Sequence, residues 1–244
     1  MSGHSKWNNI KHKKEKTDAQ RAKVFTKIGK EMAIAIRAGG PDPNVNGKLR
    51  DLISKAKSLN VPNDNIERII KKFSANDDLV YEEITYEGYG PSGVAVIVET
   101  ATDNRNRTAG NVRSYFSKFH GNMGQSGCVS FMFEEKGVIY VADDEDTEID
   151  EDALMDAALE AGASDVLSEE VGCFEVYTEP ADLEAVRDAL KDAGFPIQSA
   201  ELEKVPSSYT ALTDEEDIKM MELLLEKLED DDDVQNVWHN WENN

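Results

Sequence analysis

The chain has 244 residues, an ordinary hydrophobic content of 39% and a formal net charge of -22. At about 150 residues per domain, this length suggests two or three domains, each large enough to bury a core. No run of about eighteen apolar residues occurs, and the basic start MSGHSKWNNIKHKK lacks the apolar segment of a signal peptide, so a cytoplasmic protein without a membrane partner is expected.

A uniformly acidic surface would repel phosphate, which argues against nucleic acid as a ligand. The charge is divided, however: residues 1–75 hold 17 Lys/Arg against 7 Asp/Glu (+10), and residues 76–244 hold 10 against 42 (-32). Such a split points to nucleic-acid contact by the basic part. The two cysteines, Cys128 and Cys173, lie far apart in apolar segments and read as small core residues rather than a disulfide or a metal cluster.

In chain order, residues 1–16 carry Lys6, Lys11, Lys13, Lys14 and Lys16 with little apolar periodicity and read as a basic arm. From Thr17, Phe25, Ile28, Met32 and Ile36 recur at helical spacing until Gly39-Gly40-Pro41 ends the run. Leu49, Leu52, Ile53 and Ala56 mark a second helix, and Ile66, Ile69, Ile70 and Phe73 a third. Short amphipathic helices need a common core, so a small bundle is expected. The period then changes to that of strands: Ile84–Tyr86 and Val94–Val98 flank the turn GYGPSG, DNRNRT opens a helix through Val112, Phe116 and Phe119, and a strand is expected at Cys128–Phe133. Residues 136–206 read as strand, helix, strand, strand, helix, strand, a complete ferredoxin-like unit. A helix (213–228) and a strand (234–238) follow, supplying what the preceding β-β-α-β segment lacks.

The fold class is therefore α+β multidomain: a three-helix domain, then two α/β sandwich-type domains, one ferredoxin-like and inserted into the other. The expected limits are 1–75 for the basic arm and helices, 76–134 plus 206–244 for the discontinuous middle domain, and 135–205 for the insert.

On a helical wheel Lys23, Lys27, Lys30 and Arg37 lie roughly 120° to 200° from Phe25, opposite the apolar stripe. Surface helices are often lysine-rich, but a solvated face usually mixes signs, and here Glu31 is the only clear acid in the helix interior. Together with the arm, this reads as a phosphate-tracking stripe. Asn104-Arg105-Asn106-Arg107-Thr108 sits at a helix entrance, where Arg105 and Arg107 suit either an anion or local carboxylates such as Asp103 and Glu99. GYGPSG lacks the Lys-Ser/Thr of a P-loop and reads as a hairpin turn. The acidic runs 143–151 and 229–233 lack EF-hand alternation and read as solvated negative surface. His4, His12, His120 and His239 do not cluster, and no nucleophile–base arrangement or dinucleotide fingerprint occurs. The expectation is a non-enzyme with no catalytic residue, no metal, no cofactor and no small-molecule substrate.

Taken together, SGHSKWNNIKHKK, KVFTKIGKEM, YEGYGPSG and DNRNRT resemble the YebC family, which includes bacterial proteins named as probable transcriptional regulators and the mitochondrial translational activator of cytochrome c oxidase. The resemblance spans essentially the whole chain and implies an amino-terminal helical domain followed by two α/β domains. It also implies control of gene expression, through promoter DNA or through ribosomal RNA during difficult translation. Carried over residue by residue, it implies a binding arm of His4, Lys6, Trp7, Lys11, His12, Lys13 and Lys14, helix contacts at Lys27 and Lys30, and a secondary contact at Arg105 and Arg107. Lys16, Lys23 and Arg37 join this set by position. Lysines contact phosphate as point charges and carry little sequence information, so a ribosome-associated translation role is the expected mode and DNA-binding transcriptional regulation the alternative. The sequence does not define an oligomeric state.

Overall fold

Three helices open the computed structural model, which describes residues 18–74, 79–143, 148–170 and 172–242. Among these, the chain divides into two compact units, residues 18–130 with 213–238 and residues 131–212 with 239–242.

In the first unit, α1 (Asp18–Gly39), α2 (Gly47–Ser58) and α3 (Asn63–Ser74) pack their apolar stripes together. Ile28, Met32, Ile36, Leu49, Leu52 and Ile66 form the core, with Phe25, Ile69 and Phe73 at its margin. α1 stops where expected, because Gly40 takes a positive φ of 83° and its N–H returns to the Ile36 carbonyl at 2.8 Å. Asn46 then caps α2 by accepting from the Leu49 N–H, while its amide donates to the Ala35 and Gly40 carbonyls, tying the two helices end to end.

The same unit contains β1 (Glu82–Tyr89), β2 (Ala95–Thr102), α4 (Arg105–Lys118), β3 (Asn122–Met123), α7 (Glu215–Glu229) and β9 (Val234–His239), with sheet order β3-β1-β2-β9. β1 and β2 form an antiparallel hairpin closed by Tyr89 opposite Ala95, as GYGPSG suggests; Ser92 and Gly93 take positive φ in the turn. Gly88 is required by packing, since a β-carbon there would lie 2.6 Å from the Asn122 carbonyl oxygen. Phe116 on α4 and Met221, Leu224 and Leu228 on α7 are fully buried. The strand expected at Cys128–Phe133 is absent over Cys128–Met132: that stretch is a loop ending in the 3-10 turn Ser130–Met132, preceded by the short β3, and Phe133 opens the next strand. Glu87 explains the loop, because its buried carboxylate accepts the backbone N–H groups of Gly127, Val129 and Ser130 at 2.7 to 2.9 Å. Those donors are then unavailable to a ladder. Cys128 accordingly lies half-buried in this loop, whereas Cys173 is buried in a strand; both are free.

The second unit runs β4 (Phe133–Ala142), α5 (Glu151–Ala161), β5 (Asp165–Glu170), β6 (Cys173–Thr178), α6 (Leu183–Asp192) and β7 (Ile197–Pro206). The strand order β5-β6-β4-β7, antiparallel throughout, is the ferredoxin-like arrangement. Ile139, Val141, Phe174 and Val176 face Leu154, Ala158, Val186 and Leu190 of the helices. Alternate residues Val138, Tyr140 and Cys173 fill the opposite face. A short parallel pair, β8 (Thr210–Ala211) with β10 (Trp241–Glu242), completes the unit.

Candidate nucleic-acid interface

Burial of Ile28, Met32 and Ile36, with Phe25 half-buried beside them, turns Lys23, Lys27 and Lys30 to the far side of α1. There they meet the end of α7 and the acidic loop after it. Lys27 donates to the Glu229 carbonyl at 2.7 Å, Lys23 to the side chain and carbonyl of Asp230, and Lys30 to the Asp232 carbonyl at 2.8 Å. Helix carbonyls at a C-terminus lack intrahelical donors and carry the negative end of the dipole, so Lys23 and Lys27 cap α7, while Lys30 holds the loop that follows it. Burial lowers the pKa of Lys27, against the opposing pull of Glu229, Asp231 and Asp232. The hydrogen bond from Lys23 holds the Asp230 carboxyl below its ordinary range.

Asp233 is the hub of the cluster. Its side chain is 6% exposed and accepts from Lys30 Nζ at 2.6 Å, Arg107 at 2.7 Å and the Thr108 hydroxyl at 2.7 Å. Burial alone would raise its pKa, but the hydrogen bonds from Lys30, Arg107 and Thr108 outweigh that and hold it at about 2. Arg107 also reaches Asp103 at 2.8 Å, and these two carboxylates raise its pKa further above the ordinary value. Asp231 accepts from the Tyr115 hydroxyl at 2.8 Å; burial first, then this bond, push the phenol up to about 12. A run that reads as solvated negative surface in the sequence thus supplies a buried ion cluster.

An open cleft of about 500 Å³ lies over this cluster. Its lining has three cations, Lys23, Lys30 and Arg107, against five carboxylates, Asp103 and Asp230–Asp233. Three against five leaves a negative surplus, so the cleft does not attract phosphate as it stands.

The structure therefore gives Lys23, Lys27, Lys30 and Arg107 intramolecular partners, and for Arg107 the local-carboxylate reading through Asp103 holds. Arg37 and Arg105 are exposed, at the end of α1 and the start of α4. His4, Lys6, Trp7, Lys11, His12, Lys13, Lys14 and Lys16 lie outside the described residues. Exposed cations of α2 and α3, among them Arg50, Lys57, Arg68 and Lys71, are absent from the sequence-based set because Asp51, Asp64 and Glu67 are interspersed with them and no long basic run singles them out. Among the described residues, no group of three His, Cys, Asp or Glu side chains is placed to hold a metal ion. Burial lowers the pKa of His239 to about 4, and its Nδ1 accepts the Trp241 N–H. No described helix is long and apolar enough to cross a membrane.

Two family models cover nearly all of this architecture: the TACO1/YebC protein N-terminal domain over residues 5–76, and the TACO1/YebC second and third domain over residues 81–241. The chain belongs to the TACO1/YebC family. It is 56% identical over 242 residues to a protein of Acetivibrio thermocellus, covering 99% of each chain, and 54% identical to one of Lachnoclostridium phytofermentans, covering 99% of this chain and 100% of the other. Both bear the name "Probable transcriptional regulatory protein". The crystal structure of a conserved hypothetical protein from Aquifex aeolicus superposes with a TM-score of 0.82 at 45% identity, covering 93% of this chain and 92% of that one. The TACO1/YebC fold thus accounts for both units.

Proposed function

We propose that this TACO1/YebC protein is a non-enzymatic regulator of gene expression that binds nucleic acid in the cytoplasm through its basic amino-terminal segment. The observation that carries the proposal is the charge partition, +10 over residues 1–75 in a chain of -22. An acidic body with one basic end approaches a polyanion with that end foremost. The binding residues are those of the arm, His4, Lys6, Trp7, Lys11, His12, Lys13, Lys14 and Lys16, supported by the exposed Arg37 and Arg105. Lys30 and Arg107, committed to Asp233, are left out of the binding surface.

The names of relatives matched end to end support the DNA-binding, transcriptional mode ahead of the ribosomal one expected from residue chemistry. One observation keeps the ribosomal mode as a second reading: residues 1–75 contain 13 lysines and 4 arginines, a set suited to phosphate rather than to base edges. The deciding experiment places purified protein between ribosomes and a duplex carrying promoter DNA at near-physiological salt. Retention on the duplex with ribosomes in excess supports transcriptional control. Sedimentation with ribosomes despite excess duplex rejects it in favour of translation, and binding to neither rejects nucleic acid altogether.

A further inference from the structure

The cations most prominent in the sequence are those of α1, yet the structure spends them on the end of α7. Lys27 and Lys30 donate to the Glu229 and Asp232 carbonyls, and Lys30 also faces a carboxylate that is itself buried. Lys23 is paired with Asp230. A phosphate approaching this face would have to displace carbonyl or carboxylate partners on four residues, Glu229, Asp230, Asp232 and Asp233, and would meet the carboxylate surplus of the cleft. Like-charge repulsion of this kind opposes binding rather than leaving it neutral.

The outer sides of α2 and α3 differ. GKLRDLISKAKS and NDNIERIIKKFS together hold seven Lys/Arg against three Asp/Glu. Their apolar sides, through Leu49, Leu52, Ala56 and Ile66, are buried in the bundle, which turns most of the charged positions outward, although Lys48 is paired with Glu83 at 3.1 Å and Lys55 is half-buried. Lys57, Arg68 and Lys71 are exposed, on two helices joined by only the four residues 59–62. Last-turn lysines also complement the helix dipole, which accounts for Lys57 and Lys71. It does not account for Arg68 in mid-helix, nor for the cation excess over both helices.

Resting on the nucleic-acid reading above, we infer that the outer faces of α2 and α3, and not the lysine face of α1, form the docking surface of the amino-terminal segment for the phosphate backbone of duplex DNA. Lys57, Arg68 and Lys71 each contact a phosphate as the arm engages the same duplex. α1 serves as the spine that fixes these two helices, its own lysines held by the acidic loop.

The test uses the full chain and a mixed-sequence duplex DNA, with binding measured over a series of salt concentrations. Lys57→Ala/Arg68→Ala/Lys71→Ala keeps good helix formers at exposed positions, and its thermal midpoint shows whether the fold survives. The expected result is a salt slope shallower by about 0.9 for each lost contact, about 2.7 for the triple variant, and at least tenfold weaker binding at low salt. Lys23→Gln/Lys27→Gln is expected to keep the wild-type slope while lowering thermal stability. The inference is overturned if the α2–α3 variant binds like wild type, or if the α1 pair alone flattens the slope. If the wild-type chain binds no duplex at all, the underlying DNA reading fails as well, an outcome distinct from either variant result. Substituting a structured RNA for the duplex shows whether the same three side chains track a ribose-phosphate backbone.

Discussion

Replacing Asp233 with Asn tests the ion cluster that joins α1, α4 and the loop after α7. Hydrogen bonds from Lys30, Arg107 and Thr108 hold this carboxyl at about 2, below the ordinary aspartate value of 3.8. At about 1.4 kcal/mol per tenfold, that difference contributes about 2.5 kcal/mol to stability at neutral pH. The substitution also leaves the Lys30 ammonium, 10% exposed, opposite a neutral amide. Removing one member of a buried pair costs about 3–5 kcal/mol, and the retained Asn oxygen recovers part of this. The expected loss for Asp233→Asn at pH 7 is therefore about 2.5–4 kcal/mol, read as a lower urea midpoint followed by circular dichroism. Its pH dependence has a definite sign: a depressed carboxyl pKa stabilises fully above about 4, and the contribution is lost as pH falls through about 2. The gap between wild type and Asp233→Asn should accordingly be full at pH 7 and pH 5 and shrink below pH 4. Equal midpoints at pH 7, or a gap of constant size from pH 7 down to pH 3, would refute the assignment of Asp233 as the anchor of Lys30 and Arg107.

Three further substitutions probe other parts of the fold. Glu87→Gln removes the charge that three backbone N–H groups share and should cost about 1.5–3 kcal/mol, with faster hydrogen exchange at Gly127, Val129 and Ser130; unchanged exchange there would show that the loop holds without it. Gly137→Ala places a methyl against the Thr178 hydroxyl and the Leu183 side chain, so a loss of about 1–3 kcal/mol and a lower thermal midpoint are expected, whereas a wild-type midpoint would contradict the packing. Asn46→Ala deletes a helix cap and two bonds to the end of α1; about 2 kcal/mol of destabilisation by chemical denaturation is expected, and a change below about 0.5 would rule out the tie between α1 and α2.

Periodicity carried the elements that are amphipathic and locally terminated. α1 is legible because its stripe is regular and Gly39-Gly40-Pro41 follows it, and the β1–β2 hairpin because GYGPSG admits few other conformations. β4 is longer than the apolar run Val138–Val141 suggests, since Phe133–Lys136 gains its ladder from Glu203–Pro206 about seventy residues later. The loop at Cys128–Met132 was misleading for the same reason: an apolar composition suits a strand, but a carboxylate from β1 takes the donors. In the candidate interface the cations were legible and their partners were not. Lys30 and Asp233 are 203 positions apart, and no local pattern announces that a lysine face will be closed by an acidic run. The exposed cations of α2 and α3 became visible only once burial fixed which sides of those helices face outward.

Engagement of a nucleic-acid backbone by the basic amino-terminal segment is read from the salt dependence of duplex binding, measured for the intact chain and for a chain lacking residues 1–16. For the intact chain the logarithm of the binding constant is expected to fall linearly with the logarithm of salt concentration, and the slope to become shallower by about 0.9 for each arm contact removed. Binding that is indifferent to salt, or a slope unchanged by loss of the arm, would contradict such engagement.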